Sequence, residues 1–390
     1  PLEGVRALDF SQFMAGPVAA RYLADYGADV IKVEAPEKGE GSRHASASNF
    51  NVAGERIAFL ALNRNKRSIA LNLKTAEGLE VCRRLVETAD VIVENFRPGV
   101  MDRLGLGYSA VSSINPRLVY GSITGYGSEG PYRNFPGQDL LVQCMSGLVW
   151  LNGRAGDPPM AVGMPIIDAV SGQQLAMGIV VALFKREVTG NGQRVEVSLL
   201  NTAIDLQAQE FTTYLNCHAE PQRSAAGVAH AHFRAPYGIY ATKDGYLALA
   251  HTPMAKLAGC LGLEELKKYE DPEAAFRSRD EIYRIVAPVF RTRTTGEWLE
   301  YLRPQDFWCG PVQTYSQLAE DQQVHLNEMV VEMPYQGSSL RLPGIPVKLS
   351  RTPGSIRCPP PGLGENTEEI LSELGLKSEE ILQLRKKAVI

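Results

Sequence analysis

The chain has 390 residues, with 40 basic and 44 acidic side chains and a formal net charge of −4, so it lacks the cationic surplus needed to hold a nucleic-acid backbone or an anionic membrane. Small molecules and other proteins are the expected partners. The length exceeds what one hydrophobic core usually serves, and the 44% hydrophobic content can fill two domains.

In chain order, "VRALDF", "GPVAARYLADYG", "DVIKVEAP", "RSIALNL", "AEGLEVCRRLVETA" and "DVIVENF" alternate short β-branched runs with amphipathic segments. That alternation predicts βαβ units and a mostly parallel, doubly wound α/β sheet. It continues through "RLVYGSITGYG" and the apolar "DAVSGQQLAMGIVVALFKREVTGNG" to a helix ending near Asn216. The polar, proline-bearing stretch 217–228, "CHAEPQRSAAGV", reads as a linker, and residues 229–325 as a smaller α+β domain. Within it, "YGIYATKDGYLALA" predicts a hairpin turning at Asp244-Gly245. The Pro- and Gly-rich segment that follows, over about 330–390, reads as a second strap. It returns to complete the first domain and closes with a short helix from Thr367.

No stretch is expected to span a bilayer. "PLEGVRALDF" reads as a strand and not as a signal core, which points to a cytoplasmic protein, or to a mitochondrial matrix protein relieved of a transit peptide. The six cysteines have neither CxxC nor CxH spacing, so no disulfide framework or zinc site is expected. The six histidines likewise show no metal-ligand pattern.

Several stretches could carry chemistry. Asp168 precedes an apolar helix predicted from Ala169 to Lys185 and reads as an N-cap. The same position suits a nucleophile: helix amides and dipole would hold the carboxylate ionised, and Gly163, Ser171 and Gly172 would leave room for a bulky substrate. Asp139 in "FPGQDLLVQCMSGL" also reads as a cap, and spacing alone does not pair the two acids. "GSITGYGSEGPY", residues 121–132, is a glycine-rich loop after a strand. It matches neither GxGxxG nor the Walker pattern, which disfavours NAD. In "VENFRPGVMDRLG", residues 93–105, Pro98 opens a helix flanked by Arg97 and Arg103, an arrangement suited to an anionic nucleotide with a π face.

Together these stretches resemble the class III (CaiB/BaiF-type) coenzyme A transferases. The likeness runs nearly end to end, through "NRNKRSIALNLKT", "ADVIVENFRPGVMDRLGLGY", "SITGYGSEGPYRNFPGQD", "GDPPMAVGMPIIDAVSGQQLAMGIVVALFKREVTGNGQRVEVSLL" and "WCGPVQT". The resemblance implies a Rossmann-like large domain, a smaller α+β domain and an interlocked, ring-like homodimer with linkers at 217–228 and after 325. It implies CoA thioesters as substrates, with no permanently bound cofactor. Asp168 falls on the family's nucleophile, which forms an acyl anhydride and then an aspartyl-CoA thioester, and Asp139 on its acidic partner. The coenzyme contacts fall on Phe13, Leu71, Asn95, Phe96, Arg97, Arg103 and Gln138, with adenine between Arg97 and Arg103.

Some positions depart from the formyl-CoA branch. Gln138 stands where that branch is aromatic, Ala35 where it is basic, and its glycine-run lid has no counterpart. The expected acceptor is therefore a short dicarboxylate such as succinate and not oxalate, with Arg43, Arg234, His230 and His232 as candidates for a distal carboxylate. Racemases of the same superfamily use a histidine beside the acid, in "GHD". Here the tripeptide is "GQD", and the Gln138 amide cannot take up a proton, which argues for transfer.

Overall fold

The computed structural model describes residues 1–44 and 50–390. By contact density the chain divides into one unit of Pro1–Val142, Pro165–Ala203 and Gln322–Ile390, and a second of Gln143–Met164 and Ile204–Asp321. Residues 143–164 and 204–216, expected with the large domain, thus group with the second unit, and Gln322–Ile390 groups with the first.

The first unit is built on six parallel strands: β1 (Arg6–Asp9), β2 (Asp29–Glu34), β3 (Lys66–Ala70), β4 (Val91–Glu94), β5 (Val119–Thr124) and β6 (Arg194–Ser198). Their order is β3-β2-β1-β4-β5-β6, the doubly wound arrangement in which successive crossovers reverse direction beside β1. The central strands are buried on both faces, as the unbroken apolar runs predict.

One face packs on helices α1 (Ala15–Asp25) and α4 (Ile166–Thr189), and the other on α2 (Ala76–Thr88), while α3 (Asp139–Met145) follows β5 in the chain. α1 and α4 touch almost backbone to backbone, because a Cβ on Gly172 would lie 2.5 Å from the Ala15 carbonyl oxygen. On the other face Val81, Cys82, Leu85 and Val86 of α2 join Ile370, Leu371, Ile381 and Val389 of the tail around Leu8, Ile31 and Ile92. The tail also zips to β3: Asn366 accepts from the Ser68 amide at 3.1 Å and Thr367 from the Ala70 amide at 3.0 Å.

Two expectations need correction. α4, with 24 residues, is long and apolar enough by length and composition to cross a membrane, although 44% of its apolar stretch is buried within the protein. The segment after 325 is also more than a strap. It holds a hairpin, Val330–Tyr335 with Ser338–Pro343, turned by Gln336 and Gly337 at positive φ, the geometry that two-residue hairpin loops favour. Its Tyr335, Leu340 and Leu342 pack on Phe59 and Leu60.

The second unit carries a three-stranded antiparallel sheet of Gly238–Ala241, Tyr246–Leu249 and Cys309–Pro311. The Asp244-Gly245 turn joins the first two, and the Asp244 carboxylate caps a helix start by accepting from the Thr295 amide at 2.7 Å. Leu257, Ile282, Val286, Phe290, Trp298 and Leu302 form its core with the sheet.

Candidate active site

A cavity of about 640 Å³ opens at the carboxyl ends of β1, β4 and β5 and the N-terminus of α4. Ligands bind at this place in open α/β sheets, where the strand order reverses. The structure brings Phe13, Asn95, Phe96, Arg97, Gln138 and Asp168 together on its wall. Leu71 is instead sealed in the core, 1% exposed. Arg103 is exposed, folded back towards Gly99, and does not line the cavity.

The first βα loop forms one rim. The Asn95 carboxamide bonds the Gln12 backbone twice, accepting from its amide and donating to its carbonyl at 2.8 Å each. Phe13 takes a left-handed φ of 62°, which a bulky side chain rarely adopts. The surroundings fix it: its amide donates to Glu40 at 3.1 Å, and its ring lies so close over Gly41 that a Cβ there would fall 2.3 Å away.

Beneath this loop is an ionic floor that the sequence reading missed. Asp9, fully buried at the end of β1, accepts from the Ser11 amide at 2.9 Å and from the Lys66 ammonium at 2.8 Å. Lys66 also donates to Asn63 at 2.8 Å and to the Pro17 carbonyl at 3.2 Å, and Lys32 to the Ser11 carbonyl at 2.9 Å. All three donors of Lys66 are therefore used, and the two ammoniums grip the loop from below. Burial alone would raise the Asp9 carboxyl, but Lys32 and Lys66 overcome it and bring it down to about 2. Burial in turn lowers Lys66 to about 8. The available signal was a lysine in the middle of an apolar strand, in "DVIKVE" and again in "NRNKRSIAL".

The opposite rim carries the two acids. Asp168 is not an N-cap: α4 starts at Ile166 after Pro165, which makes no side-chain cap, and Asp168 is its third residue. Asp139, 5% exposed, supplies the missing cap from another element, its Oδ2 accepting from the Asp168 backbone amide at 2.9 Å. The two carboxylates are thereby brought together across 29 positions of sequence. Nor is Asp168 held ionised as expected. Burial, and secondarily the charge of Asp139, push its carboxyl up to about 7, against the pull of the helix dipole.

The small residues after Asp168 serve packing and not substrate access. Gly172 admits α1, and Ser171 is buried, donating to Thr202 at 2.9 Å. The glycine loop 121–132 has a comparable reason. Gly125 and Gly137 meet so closely that a Cβ on either would lie 2.4 to 2.5 Å from the other's Cα, and both line the cavity.

Of the distal-carboxylate candidates, Arg43 is committed elsewhere. It grips Glu34 at 2.7 and 2.8 Å and stacks on Phe59 with its guanidinium 3.5 Å from the ring centroid. In the second unit His230 pairs with Glu210 at 3.0 Å and stacks on Phe233. Among the described residues no group of three His, Cys, Asp or Glu side chains could hold a metal.

Comparison with known proteins identifies the family. The model of the CoA-transferase family III matches residues 2–367. The β subunit of succinyl-CoA–L-malate CoA-transferase from Chloroflexus aurantiacus is 34% identical, over 100% of this chain and 98% of its own. A formyl-CoA:oxalate CoA-transferase from Streptomyces coelicolor is also 34% identical, over 100% and 99%. A CAIB/BAIF family protein from Brucella suis superposes with a TM-score of 0.85 at 32% identity, over 96% of this chain and 99% of that one. The chain therefore belongs to the CoA-transferase family III, and it is a class III CoA-transferase of the CaiB/BaiF group.

Proposed function

We propose that this enzyme moves CoA from an acyl-CoA donor to a free short dicarboxylate, with Asp168 as the nucleophile. The observation that carries this reading is a half-buried carboxylate facing a cavity at the sheet's switch point, with an arginine on the wall. An Asp168 oxygen attacks the thioester carbonyl, the C–S bond breaks, and CoA leaves as the thiolate, giving a mixed anhydride. The thiolate then attacks the aspartyl carbonyl, releases the donor acid and leaves an aspartyl-CoA thioester. The acceptor carboxylate repeats both steps in reverse and restores Asp168, so one difficult exchange is divided into easier ones.

Burial weakens the hydration of the carboxylate that attacks, at the cost of ionising it less readily near neutral pH. The Asp168 amide, already donated to Asp139, is unavailable to an oxyanion, so such donors must come from elsewhere on the wall. Arg97 and Phe96 supply a cation and a ring for the coenzyme. The dicarboxylate acceptor is supported by the relatives named for L-malate and oxalate; the departures at Gln138 and Ala35 favour the longer diacids. An interlocked homodimer is supported by the apolar stripe that α4 leaves exposed, Met177, Val181, Phe184 and Val188, a larger face than an isolated soluble helix usually shows.

The test is to incubate the enzyme with succinyl-CoA and a panel of carboxylic acids, then quench with hydroxylamine or borohydride and map the peptides. Modification at Asp168 that depends on the donor, with acyl-CoA products formed from diacids, is the expected result. An unmodified Asp168 during turnover refutes the covalent route.

A further inference from the structure

In the second unit a cavity of about 790 Å³ opens among residues 151–154, the loop 223–231 and the helix Arg279–Phe290. Arg154, Arg223, Arg284 and Arg291 line it, and no aspartate or glutamate does. Arg223 is pinned in place, donating to the Asn152 carbonyl at 3.0 Å and the Asp157 carbonyl at 2.9 Å while lying over the Trp150 ring. The other three arginines pair with no carboxylate among the described residues. Arg154 and Arg291, from different segments, both lie within electrostatic reach of the Tyr283 phenol on the cavity wall.

The local acid does not neutralise them. Asp280 turns its carboxylate to the loop backbone, accepting from the Ala225 amide at 3.1 Å and the Ala226 amide at 3.2 Å. A further donor, Asn152 Nδ2, is buried with no acceptor. Such a donor loses its hydration without compensation, and gathered guanidiniums repel one another unless an anion joins them. The walls between the charges are apolar, from Ala229, Ile239, Ala287 and Pro288, and the volume lies within the range of about 300–1,000 Å³ common for small-molecule sites.

We propose that this cavity binds a small organic anion of two or more negative charges, a phosphate ester or a polycarboxylate, at a site separate from the coenzyme cavity of the first unit. Guanidinium groups recognise both anion types through paired, charge-assisted hydrogen bonds, and the apolar walls cover the carbon skeleton. The inference does not depend on the transfer chemistry.

The experiment titrates the full-length enzyme calorimetrically with inorganic pyrophosphate and, separately, with citrate at near-physiological salt. Saturable binding tighter than about 1 mM is expected for at least one of them, and the stronger probe assigns the anion class. The double variant Arg284→Gln/Arg291→Gln should weaken that binding at least about tenfold, since hydrogen bonds to charged groups are the strong ones. Arg97→Gln, which alters only the first unit's cavity, should leave it unchanged. Should the double variant fail to fold, Arg154→Gln on the facing segment is to show the same loss. The proposal falls if neither probe binds, or if Arg97→Gln abolishes binding while the second-unit variants retain it.

Discussion

Two carboxylates, one beneath the loop that rims the cavity and one on its wall, meet opposite fates. Asp9, beneath the first βα loop, is fully buried and lies near 2, while Asp168, only half buried on the other rim, is raised to about 7. The more buried acid is the stronger one, so burial does not set the order. The neighbours do: two ammoniums overcome burial at Asp9, while at Asp168 burial stands unopposed and the Asp139 carboxylate adds to it. One rim spends its charges on holding backbone in place, and the other leaves the charge of the proposed nucleophile only loosely stabilised.

Replacing either acid by its amide tests that division. Asp168→Asn should reduce CoA transfer by about a thousandfold or more with little change in fold, because the attacking oxygen is lost. A variant of near-normal rate would remove the distinction. Asp9→Asn should do the reverse, leaving two ammoniums buried without their anion and destabilising the protein by about 3–5 kcal/mol, read as a lowered midpoint in urea. The same linkage makes stability fall in acid. A carboxyl lowered to about 2 contributes fully above its unfolded value near 4, and that contribution, about 2 kcal/mol, is lost as pH drops towards 2.

Asp139→Asn sharpens the comparison from the other side. Its amide oxygen can still accept from the Asp168 backbone, but the like charge is gone, so Asp168 should ionise at lower pH. Rate should rise with pH through about 7 in the parent, and the acid limb of kcat/KM should move down by about one unit in the variant. An unmoved limb would mean that burial alone raises Asp168. The smallest effect is expected at Arg103, which lies off the cavity wall. Arg103→Ala should change the Kd for CoA by less than about threefold, against about tenfold for Arg97→Ala. Equal losses would restore the adenine sandwich that the family resemblance implies.

Much of the first unit was readable in the chain, because parallel strands buried on both faces must be apolar throughout and their helices must alternate with them. Asp168 was conspicuous for the same reason, as an acid at the mouth of an apolar helix. Its partnership with Asp139 was hidden, since the chain leaves the first unit over residues 143–164 between them. Lys32 and Lys66 were hidden by their setting: in a strand pattern a lysine reads as an outward residue, and only the tertiary fold supplies the inward acid. The hairpin at 330–343 was obscured by Pro334 and Pro343 at its ends, where an edge ladder tolerates them. Gly172 was misread because room for a substrate and room for a neighbouring helix leave the same mark in the sequence.

The tail that packs Ile370, Leu371, Ile381 and Val389 around β1, β2 and β4 has a consequence for biosynthesis. These side chains emerge from the ribosome after the whole second unit, so the nascent sheet must wait with one flank unsealed and its β3 border bare. Chaperone occupancy during translation should therefore persist until residues near position 370 emerge and act as the latch that ends it.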